Sequence, residues 1–503
     1  MNCNFKFDEN NIFCVIKTIF KISCIIPIYN GGLYLEAAIE SVIAQSIGFS
    51  ENIQLILIND GSSDNTEDIC LKYNKKYPYN IYYILSGPDG KNKGVSVSRN
   101  AGIRLAEGEF ISFLDADDLL DPYYYETAIQ YLSQDNNYYN VDVAAFPIKF
   151  YGDNKKIAEP VLNFRFNKTR IVNIEDEPAY IQFGVHSTVI RKSAISDILF
   201  SEDLHYSEDA EFMHRVLLKK MAYYLIVEPA YLYRRRNNDE INNSVTQKKL
   251  TQKTWYDKFE IFGKLLLQYS LKLYGRVVEY TQSLILHDIS TGIITKLPDS
   301  IHERININNV ITNISISLCN VSNEIIMANK FINKWHKYYF LYLKHKIEYI
   351  KYYKGKPAFY LGNYLYERLD PLITIHKANE ENGKIKIYGS YHLPKYDNFK
   401  LIYVYNNSVT CIEEYNCFTD NSYYLGMVIH KVKGFKIIIK PVLTKYAKVL
   451  FYIVYENKKY PAKIEYFTSD NLINYETYFY ILLDTQIISR ANTLNGLHIE
   501  LIN

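Results

Sequence analysis

Apolar runs of strand length alternate with apolar residues at helical spacing over the first part of the chain. The runs lie at residues 22–28, 53–58, 81–85 and 110–114, and helical spacing is found from Leu35 to Ile43, through Ile69 and Leu71, and at 95–106. Strands that alternate with helices in this way are typical of parallel βαβ units. The pattern therefore predicts an α/β domain with a largely parallel sheet.

The pattern becomes mixed past Asn140. It predicts a strand at 141–148, irregular polar sequence to about Tyr180, and a helix that begins near Ser207, whose hydroxyl can cap it. Ahead of the first strand, the stretch before Ile22 is expected to add an edge strand or a helix.

Two further changes of pattern divide the rest of the chain. From Gln247 to about Leu372 the apolar residues recur at helical spacing with few Gly or Pro, which indicates a helical connector. From about Ala378 onwards, β-rich runs such as 385–391 and 447–451 are broken by turn residues. This last pattern predicts an all-β, sandwich-like domain.

Composition narrows the class of protein. A chain of 503 residues is long enough for about two to four domains. Its 57 Lys and Arg residues nearly balance 55 Asp and Glu residues, which argues against a nucleic-acid partner. The sequence holds 49 Tyr and only 2 Trp, a surplus that codon bias explains more simply than a sugar-binding surface does.

Cysteine spacing and the start of the chain bear on location. The seven Cys residues form no C-x-x-C pair and no zinc spacing, so we expect neither a disulfide framework nor structural zinc. Asp8 and Glu9 precede the first apolar stretch, which makes a poor signal peptide, and no run of 18 apolar residues occurs. We therefore expect a reducing, cytoplasmic location.

Polar clusters follow the predicted strands at their carboxyl ends. Tyr29 and Asn30 follow the first strand, Asp60 follows the second, and an acidic loop, Asp115 to Asp118, follows the fourth. In an open α/β sheet, ligands bind outside this edge. The sequence therefore predicts a ligand site there.

The acidic loop is the strongest chemical signal. Asp115, Asp117 and Asp118 would raise one another's pKa unless a cation compensates, and Mg²⁺ or Mn²⁺ prefers such oxygen ligands and bridges to phosphates. The alternative is an acidic loop that caps the next helix. Leu119 and Leu120 exclude a calcium EF-hand, because they stand where an oxygen ligand and a Gly are needed.

Three other clusters each allow two interpretations. The Gly-rich segment from Gly87 to Gly102 could cradle a diphosphate or be a plain exposed loop, and it matches neither Walker A nor G-x-G-x-x-G spacing. Glu208 and Asp209 follow Ser207 at a helix start, where a carboxylate serves as a cap or a general base. The segment 231–238 is either a solvated turn or a guanidinium clamp for phosphate.

Together, in this order, these clusters resemble a family 2 glycosyltransferase of the GT-A type. The resemblance runs from about Ile22 to Val245 and rests on the segments 25–30, 58–64, 93–100 and 113–118, the Glu208-Asp209 pair and 233–235. A looser similarity, at Lys334 to Lys346 with His336, is to the helical region of bacterial cell-wall and capsule glycosyltransferases, including teichoic-acid ones.

The resemblance implies a role for each matching residue. Pro27, Tyr29 and Asn30 would line the base pocket, Asp60 would contact the uracil, and Asp115 would approach the ribose. Asp117 would coordinate Mn²⁺ or Mg²⁺ and Asp209 would be the catalytic base. The remaining donor-binding candidates are Lys93, Arg99, Ala116, Arg234 and Arg235, and the substrate candidates are Gly184, His186, Ser187 and Glu208.

The implied activity is inverting, metal-dependent transfer of a hexosyl or N-acetylhexosaminyl group from a UDP-sugar to a glycan hydroxyl. The acceptor would belong to a bacterial capsule, lipopolysaccharide or teichoic acid, and the enzyme would work in the cytoplasm or at the inner face of the membrane. One alternative is a non-catalytic glycan-binding scaffold. A nucleotidyltransferase fits poorly, because no Gly-rich triphosphate loop follows the first strand.

The predicted division of the chain follows from these assignments. It comprises an N-terminal extension (1–21), a GT-A catalytic domain (22–246), a helical connector (247–377) and a C-terminal β-rich domain (378–503). The last is expected to mediate oligomerisation or glycan docking.

Overall fold

The computed structural model describes residues 20–87, 90–134, 141–152, 160–235, 257–291 and 307–345, two strands near the start of the chain, and strands between residues 350 and 501. The chain forms two compact units. The first comprises Met1–Ile289 and Pro298–Ile325, and the second comprises Ser290–Leu297 and Ile326–Asn503. The predicted boundaries at residues 246 and 377 do not coincide with this division.

The first unit is an α/β structure. Its strands are β1 (Cys3–Asp8), β2 (Asn11–Ile16), β3 (Ile22–Ile28), β4 (Ile53–Asn59), β5 (Ile81–Leu85), β6 (Phe110–Phe113), β7 (Leu119–Leu120), β8 (Val143–Ala145), β9 (Ile148–Gly152), β10 (Arg170–Asn173), β11 (Thr188–Arg191), β12 (Ala222–Leu225) and β13 (Tyr231–Arg235). Its first six helices are α1 (Leu35–Ile43), α2 (Phe49–Asn52), α3 (Thr66–Lys76), α4 (Val95–Leu105), α5 (Tyr124–Leu132) and α6 (Glu208–Leu218).

Eight strands form the central sheet in the order β10-β12-β8-β11-β6-β3-β4-β5. The neighbours β6, β3, β4 and β5 are parallel, as the alternation of strands and helices predicts. Strand β11 is antiparallel to both β6 and β8, so the sheet is mixed. The predicted α/β class is confirmed, but the four-residue strands β10 and β11 were not predicted.

Helices cover both faces of the sheet. Every residue of β4 is buried, which is typical of a strand that packs on both sides. On one face α1 contributes Leu35, Ile39 and Val42 to the core, and on the other α6 contributes Phe212 and Met213. The loops at the carboxyl ends of β3, β4 and β6 therefore emerge together from a rigid layer.

Two local predictions are wrong. The strand predicted at 141–148 is divided between β8 and β9, with Phe146 and Pro147 between them, and β9 leaves the main sheet to join a second sheet of order β7-β13-β9. A proline cannot donate a ladder hydrogen bond, which is consistent with a break at this point. The N-terminal stretch forms the hairpin β1–β2, a two-stranded sheet of its own rather than an edge strand.

Helices continue past the predicted catalytic domain. After a π-helical turn (Asp257–Phe262) come α7 (Gly263–Tyr274), α8 (Glu279–Ser290), α9 (Ile307–Cys319), α10 (Asn323–Ala328) and α11 (Lys334–His345). The helical region predicted to extend to residue 377 therefore ends at His345, and strands begin at Ile350. Within the described part of the chain, no helix combines the length and hydropathy that crossing a bilayer requires.

The described strands of the second unit are β14 (Ile350–Tyr353), β15 (Lys356–Leu361), β16 (Tyr364–Arg368), β17 (Leu372–Glu381), β18 (Lys384–Leu393), β19 (Lys400–Tyr405), β20 (Ser408–Cys411), β21 (Glu413–Tyr424), β22 (Met427–Ile439), β23 (Ala447–Tyr455), β24 (Lys458–Pro461), β25 (Lys463–Tyr466), β26 (Leu472–Tyr475), β27 (Tyr478–Leu483), β28 (Gln486–Ala491) and β29 (Leu497–Leu501). Phe435 of β22 and Phe451 of β23 lie in different sheets, and their buried rings are 5.6 Å apart. This contact agrees with the predicted sandwich-like domain.

Candidate active site

Loops from three neighbouring strands converge at the carboxyl edge of the sheet. Asn30, after β3, adopts a left-handed conformation (φ 51°) that a short polar side chain tolerates. Its backbone N–H donates to Ser62 Oγ (2.9 Å), and its Oδ1 accepts from the backbone N–H of Ser63 (2.8 Å). Asn30 thus fastens the β3 loop to the loop after β4.

Tyr29 and Pro27, the other predicted base-pocket residues, lie beside that junction. Pro27 is part of β3, and the Tyr29 side chain is 48% exposed at the end of the strand. An aromatic ring with an open face can stack on a planar base. The role of these residues in base binding stays a prediction.

Asp60 is buried and holds the Gly-rich loop before α4. Its Oδ1 accepts from the backbone N–H of Lys93 (2.8 Å) and its Oδ2 from that of Gly94 (2.9 Å). The Ser86 hydroxyl also donates to Oδ1. The predicted uracil contact stays a prediction, but the structure adds a role that the sequence pattern did not reveal, since Asp60 fixes the loop that leads into α4. Lys93 itself is exposed.

Arg99 of α4 lies at the centre of the site and is only 3% exposed. Its Nη1 donates to Asp209 Oδ1 (2.5 Å) and Glu208 Oε1 (3.3 Å), and its Nη2 donates to Asp115 Oδ1 (3.3 Å). Burial alone would lower the pKa of Arg99, but the charges of Asp209, Asp115 and Glu208 outweigh burial and raise it. One guanidinium therefore joins the acidic loop to the start of α6.

The acidic loop is anchored through Asp118. This carboxylate is buried and accepts from Tyr231 Oη (2.7 Å) and from the backbone N–H of Arg234 (2.8 Å). Burial, followed by the charges of Asp117 and Asp115, raises the pKa of Asp118 well above its ordinary value. The expected mutual repulsion is thus present at Asp118.

The other members of the loop are less buried than Asp118. Asp115 and Asp117 are half-buried, and a side chain added at Gly31 would meet Ala116 Cβ at 3.3 Å, which places Ala116 against the β3 loop. Anchoring Asp118 therefore presents Asp115 and Asp117 at the carboxyl edge of the sheet.

Arg234 lies between two tyrosine rings. Its guanidinium carbon is 4.3 Å from the centroid of Tyr34 and 4.6 Å from that of Tyr151. Arg234 Nε and Tyr151 Oη both donate to the carbonyl oxygen of Asp117, at 2.9 and 3.1 Å. Arg235 stacks on Phe150 instead, at 4.2 Å. The rest of the predicted clamp, residues 236–238, lies outside the described residues.

The start of α6 differs from the prediction. Ser207 precedes the helix but is left-handed (φ 60°), and its side chain makes no capping hydrogen bond. Its Oγ donates instead to Asp288 Oδ1 of α8 (3.2 Å). Glu208 and Asp209 fall in the first turn of α6, where the helix dipole favours a carboxylate in its ionised form.

A turn at residues 182–188 lies against Asp209. His186 Nδ1 is 3.7 Å from Asp209 Oδ2, and the imidazole packs 4.9 Å from the ring of Tyr231. Ser187 is buried and its Oγ accepts from Gln182 Nε2 (3.1 Å), so this hydroxyl lies inside the turn. The prediction that Gly184, His186 and Ser187 read the donor sugar is untested.

The donors at the acidic loop suit a hard divalent cation. Asp115 and Asp117 offer carboxylate oxygens on one loop, and Mg²⁺ takes one or two carboxylates and completes its shell with phosphate and water. Among the described residues, no group of three or more His, Cys, Asp or Glu side chains is placed to hold a metal ion. The residues present fit a cation shared with a diphosphate rather than an all-protein cage.

Part of the first unit matches a known protein family. Residues 23–199 match the family described as glycosyl transferase family 2. This range contains the loops after β3, β4 and β6, together with Arg99 and the turn at 182–188.

Curated relatives include two proteins of Bacillus subtilis (strain 168). The minor teichoic acid biosynthesis protein GgaB is 33% identical over 91% of this chain and 51% of its own length. The corresponding protein GgaA is 36% identical over 53% of this chain and 58% of its own length. The chain thus spans between half and three fifths of the length of these relatives.

One solved structure has a similar fold. The S. aureus TarS fragment 1-349, crystallised in complex with UDP-GlcNAc, matches with a TM-score of 0.50 and 17% identity, over 70% of this chain and 99% of the fragment. At this identity the match shows the fold alone, and it agrees with the GT-A type of architecture.

Proposed function

We propose that the chain transfers a sugar from a UDP-sugar to a hydroxyl of a bacterial surface glycan, because residues 23–199 match glycosyl transferase family 2. The observation that carries this proposal is the cluster around Arg99, which brings Asp115, Glu208 and Asp209 together at the carboxyl edge of the sheet. The transferred group is a hexosyl or N-acetylhexosaminyl group. UDP-GlcNAc, the ligand named for the TarS fragment, is the first donor to test.

The proposed reaction is a single displacement. Asp209 accepts the proton of the acceptor hydroxyl, and the oxygen forms a bond to the anomeric carbon of the sugar. The bond from that carbon to the diphosphate breaks on the opposite face, and UDP leaves with the electron pair. One displacement without a covalent sugar intermediate inverts the anomeric centre.

The donor would lie across the loops after β3, β4 and β6. Tyr29 would stack on the uracil, with Pro27, Asn30 and Asp60 beside it, and Asp115 would approach the ribose. Asp117 would hold Mn²⁺ or Mg²⁺, which stabilises the negative charge that develops on the leaving diphosphate.

Cations of the chain would assist the donor. Arg99 is held by three carboxylates, so its contribution is to keep the donor loop and the base together. Arg234 is fixed between Tyr34 and Tyr151 and steadies the Asp117 backbone, while Arg235 and Lys93 are closer to solvent and could meet the diphosphate.

The acceptor class is proposed from the named relatives. GgaB and GgaA are teichoic acid biosynthesis proteins, so teichoic acid is the first acceptor to test, before capsule or lipopolysaccharide glycans. We propose that the enzyme works in the cytoplasm, where UDP-sugars are made available, with peripheral association at the inner face of the membrane.

The proposal predicts UDP release that depends on cation, donor and acceptor. Purified protein should release UDP from one member of a UDP-sugar panel when Mn²⁺ or Mg²⁺ and a teichoic acid acceptor are present, and a chelator should abolish it. We expect Asp209→Asn and Asp117→Asn each to lower kcat by about 10²- to 10⁴-fold, the range typical of a lost general base or an equivalent charge.

A matched control is Asp68→Asn, which changes an exposed carboxylate on α3. This variant should retain the wild-type rate. Full activity of Asp209→Asn on a true acceptor would show that the base is assigned incorrectly. Tight glycan binding without affinity for UDP or metal would favour the non-catalytic scaffold, and pyrophosphate release would favour the nucleotidyltransferase.

A further inference from the structure

The two oxygens of Asp209 lie beside two different side chains. Oδ1 accepts from Arg99 Nη1, and Oδ2 lies 3.7 Å from His186 Nδ1. This second distance is that of an ion pair rather than a formed hydrogen bond, and such contacts at catalytic groups often shorten when substrate binds. Each carboxylate oxygen has two lone pairs, so both contacts leave Asp209 able to accept a proton.

The turn that carries His186 is held by its own side chains. Gln182 Nε2 donates to the Gly184 carbonyl (2.6 Å) and to Ser187 Oγ (3.1 Å), and Thr188 Oγ1 donates to the Val185 carbonyl (2.6 Å). The Gln182 backbone N–H donates to Tyr280 Oη of α8 (3.2 Å). The position of the imidazole is therefore built into the fold before any ligand arrives.

Packing fixes the ring itself. A Cβ atom at Gly184 would lie 2.4 Å from His186 Cε1, so a larger residue at 184 would force the ring to shift from this position. The ring centroid is 4.9 Å from that of Tyr231 and 6.2 Å from that of Tyr233. These contacts aim Nδ1 at Asp209.

The other ring nitrogen of His186, Nε2, is buried. His186 Nε2 has essentially no accessible surface and makes no hydrogen bond within the described residues. An atom without accessible surface cannot touch an incoming sugar in this conformation. The nitrogen that meets a functional group is thus Nδ1, and the group it meets is Asp209.

We propose that His186 is a positioning residue that orients the Asp209 carboxylate through its Oδ2 oxygen, rather than a residue that reads the donor sugar. The proposal rests on the proposed function, because it takes Asp209 as the base. With Arg99 at Oδ1 and His186 at Oδ2, rotation of the carboxylate is restricted.

The test is a set of His186 variants assayed with the donor and acceptor that the wild type uses. We expect His186→Ala to lower kcat about ten- to a hundredfold, the loss typical when a partner that orients a functional group is removed. The KM for the UDP-sugar and the Kd for UDP should stay within about twofold. His186→Asn, whose amide nitrogen can stand near the position of Nδ1, should recover part of the lost kcat. His186→Gln, whose amide lies further out, should recover less.

His345→Gln, at the end of α11, is the matched histidine control and should keep the wild-type kcat and KM. A rise in donor KM with kcat unchanged, or a change in preferred donor, would overturn the proposal in favour of sugar contact. Wild-type values for both constants in His186→Ala would overturn it as well. If His186→Ala fails to fold, the comparison of Asn with Gln still decides.

A second measurement needs no turnover, so it separates this proposal from the proposed function. The ¹⁵N shifts of the His186 imidazole should change on Asp209→Asn, because one of its neighbouring charges disappears. That variant leaves unchanged the other groups that face the ring, which are Asp115 and Asp118 of the acidic loop and Tyr231 and Tyr233 of β13. Unchanged shifts would overturn the proposed contact between His186 and Asp209, even if the enzyme is active. Changed shifts in a protein that turns over no UDP-sugar would support the contact and contradict the proposed function.

Discussion

At the scale of single residues, the site is organised by charge in a small buried volume. Arg99 faces three carboxylates, and removal of a buried partner leaves an uncompensated charge, which commonly costs about 3–5 kcal/mol. The sequence pattern alone marks Arg99, Asp115 and Asp209 as candidates. It cannot show that they touch, because the contact between Arg99 and Asp209 joins residues 110 positions apart, and that between Arg99 and Asp115 joins residues 16 positions apart.

His186 should give stability a pH dependence. Burial alone would lower the pKa of His186, but Asp209, Asp115 and Asp118 raise it above its ordinary value of 6.5. A group with a raised folded-state pKa stabilises the fold fully below its unfolded pKa, and this contribution is lost as pH rises through the folded value. We therefore expect His186→Gln to lower the free energy of unfolding more at pH 6 than at pH 9.

Urea unfolding of both proteins across this pH range measures the difference. The carboxylates of the acidic loop are present in both proteins, and the packing lost with the imidazole contributes equally at each pH. A stability difference that stays constant, or that grows with pH, would contradict the interpretation of His186 as a cation in the folded protein.

At the scale of elements, α8 belongs to the first unit. It buries Tyr280, Leu284 and Ile289, and it binds the α6 region twice, through Thr281 Oγ1 to His214 Nε2 (2.9 Å) and through Asp288 to Ser207. A helix that supplies core residues and holds the residue before Glu208 is part of the scaffold of the site rather than a connector. The predicted boundary at residue 246 would remove it.

Truncation tests this assignment. We expect a chain that ends at residue 246 to be unfolded or unable to bind UDP, while a chain that ends at residue 325 should fold and bind it. Circular dichroism and calorimetry with UDP provide the measurements. The shorter chain loses α8, and fully burying a Leu or Ile side chain stabilises by about 1.5–3 kcal/mol.

Single substitutions give a finer comparison. Leu284→Ala, in the core face of α8, should lower the free energy of unfolding by about 2–5 kcal/mol. Leu273→Ala, on an exposed position of α7, should have a much smaller effect. Equal effects would contradict a structural role for α8.

Element prediction succeeded where the pattern is long and uninterrupted. The strands β3, β4 and β5 lie within a residue or two of their predicted bounds, because buried parallel strands are apolar throughout. The helices α1 and α4 also match their predicted bounds to within a residue, and α6 begins one residue after Ser207. The strands β10 and β11 lie past Asn140, outside the regular alternation of strands and helices, so that pattern did not reveal them. Ser207 was expected to cap α6, but a local rule could not anticipate a partner on α8.

At the scale of the whole molecule, the two units differ in secondary structure. The first is an α/β unit with additional helices, and the second is largely β. Some of the many tyrosine residues are buried in the cores of both units. Tyr124, Tyr125 and Tyr280 are buried in the core of the first unit, and Tyr391 is buried in the second. Part of the surplus thus serves packing, whatever its origin in codon usage.

The second unit is expected to act on assembly or on long acceptors. Removal of residues 326–503, the main segment of this unit, should change the molecular mass measured by light scattering or raise the KM for a polymeric acceptor. UDP binding should persist, because the donor loops lie in the first unit. Unchanged mass and unchanged KM for both short and polymeric acceptors would refute this role.

The close packing of Gly184 against the imidazole of His186 has a consequence for sequence variation among homologues. A Cβ at residue 184 would displace the His186 imidazole from the position beside Asp209 that it has in this turn. The residues tolerated at one of these positions should therefore depend on the residue at the other. Homologues without the histidine at 186 should tolerate larger residues at 184. In an aligned set of homologues the two positions should covary, with histidine at 186 confined to sequences that keep glycine at 184.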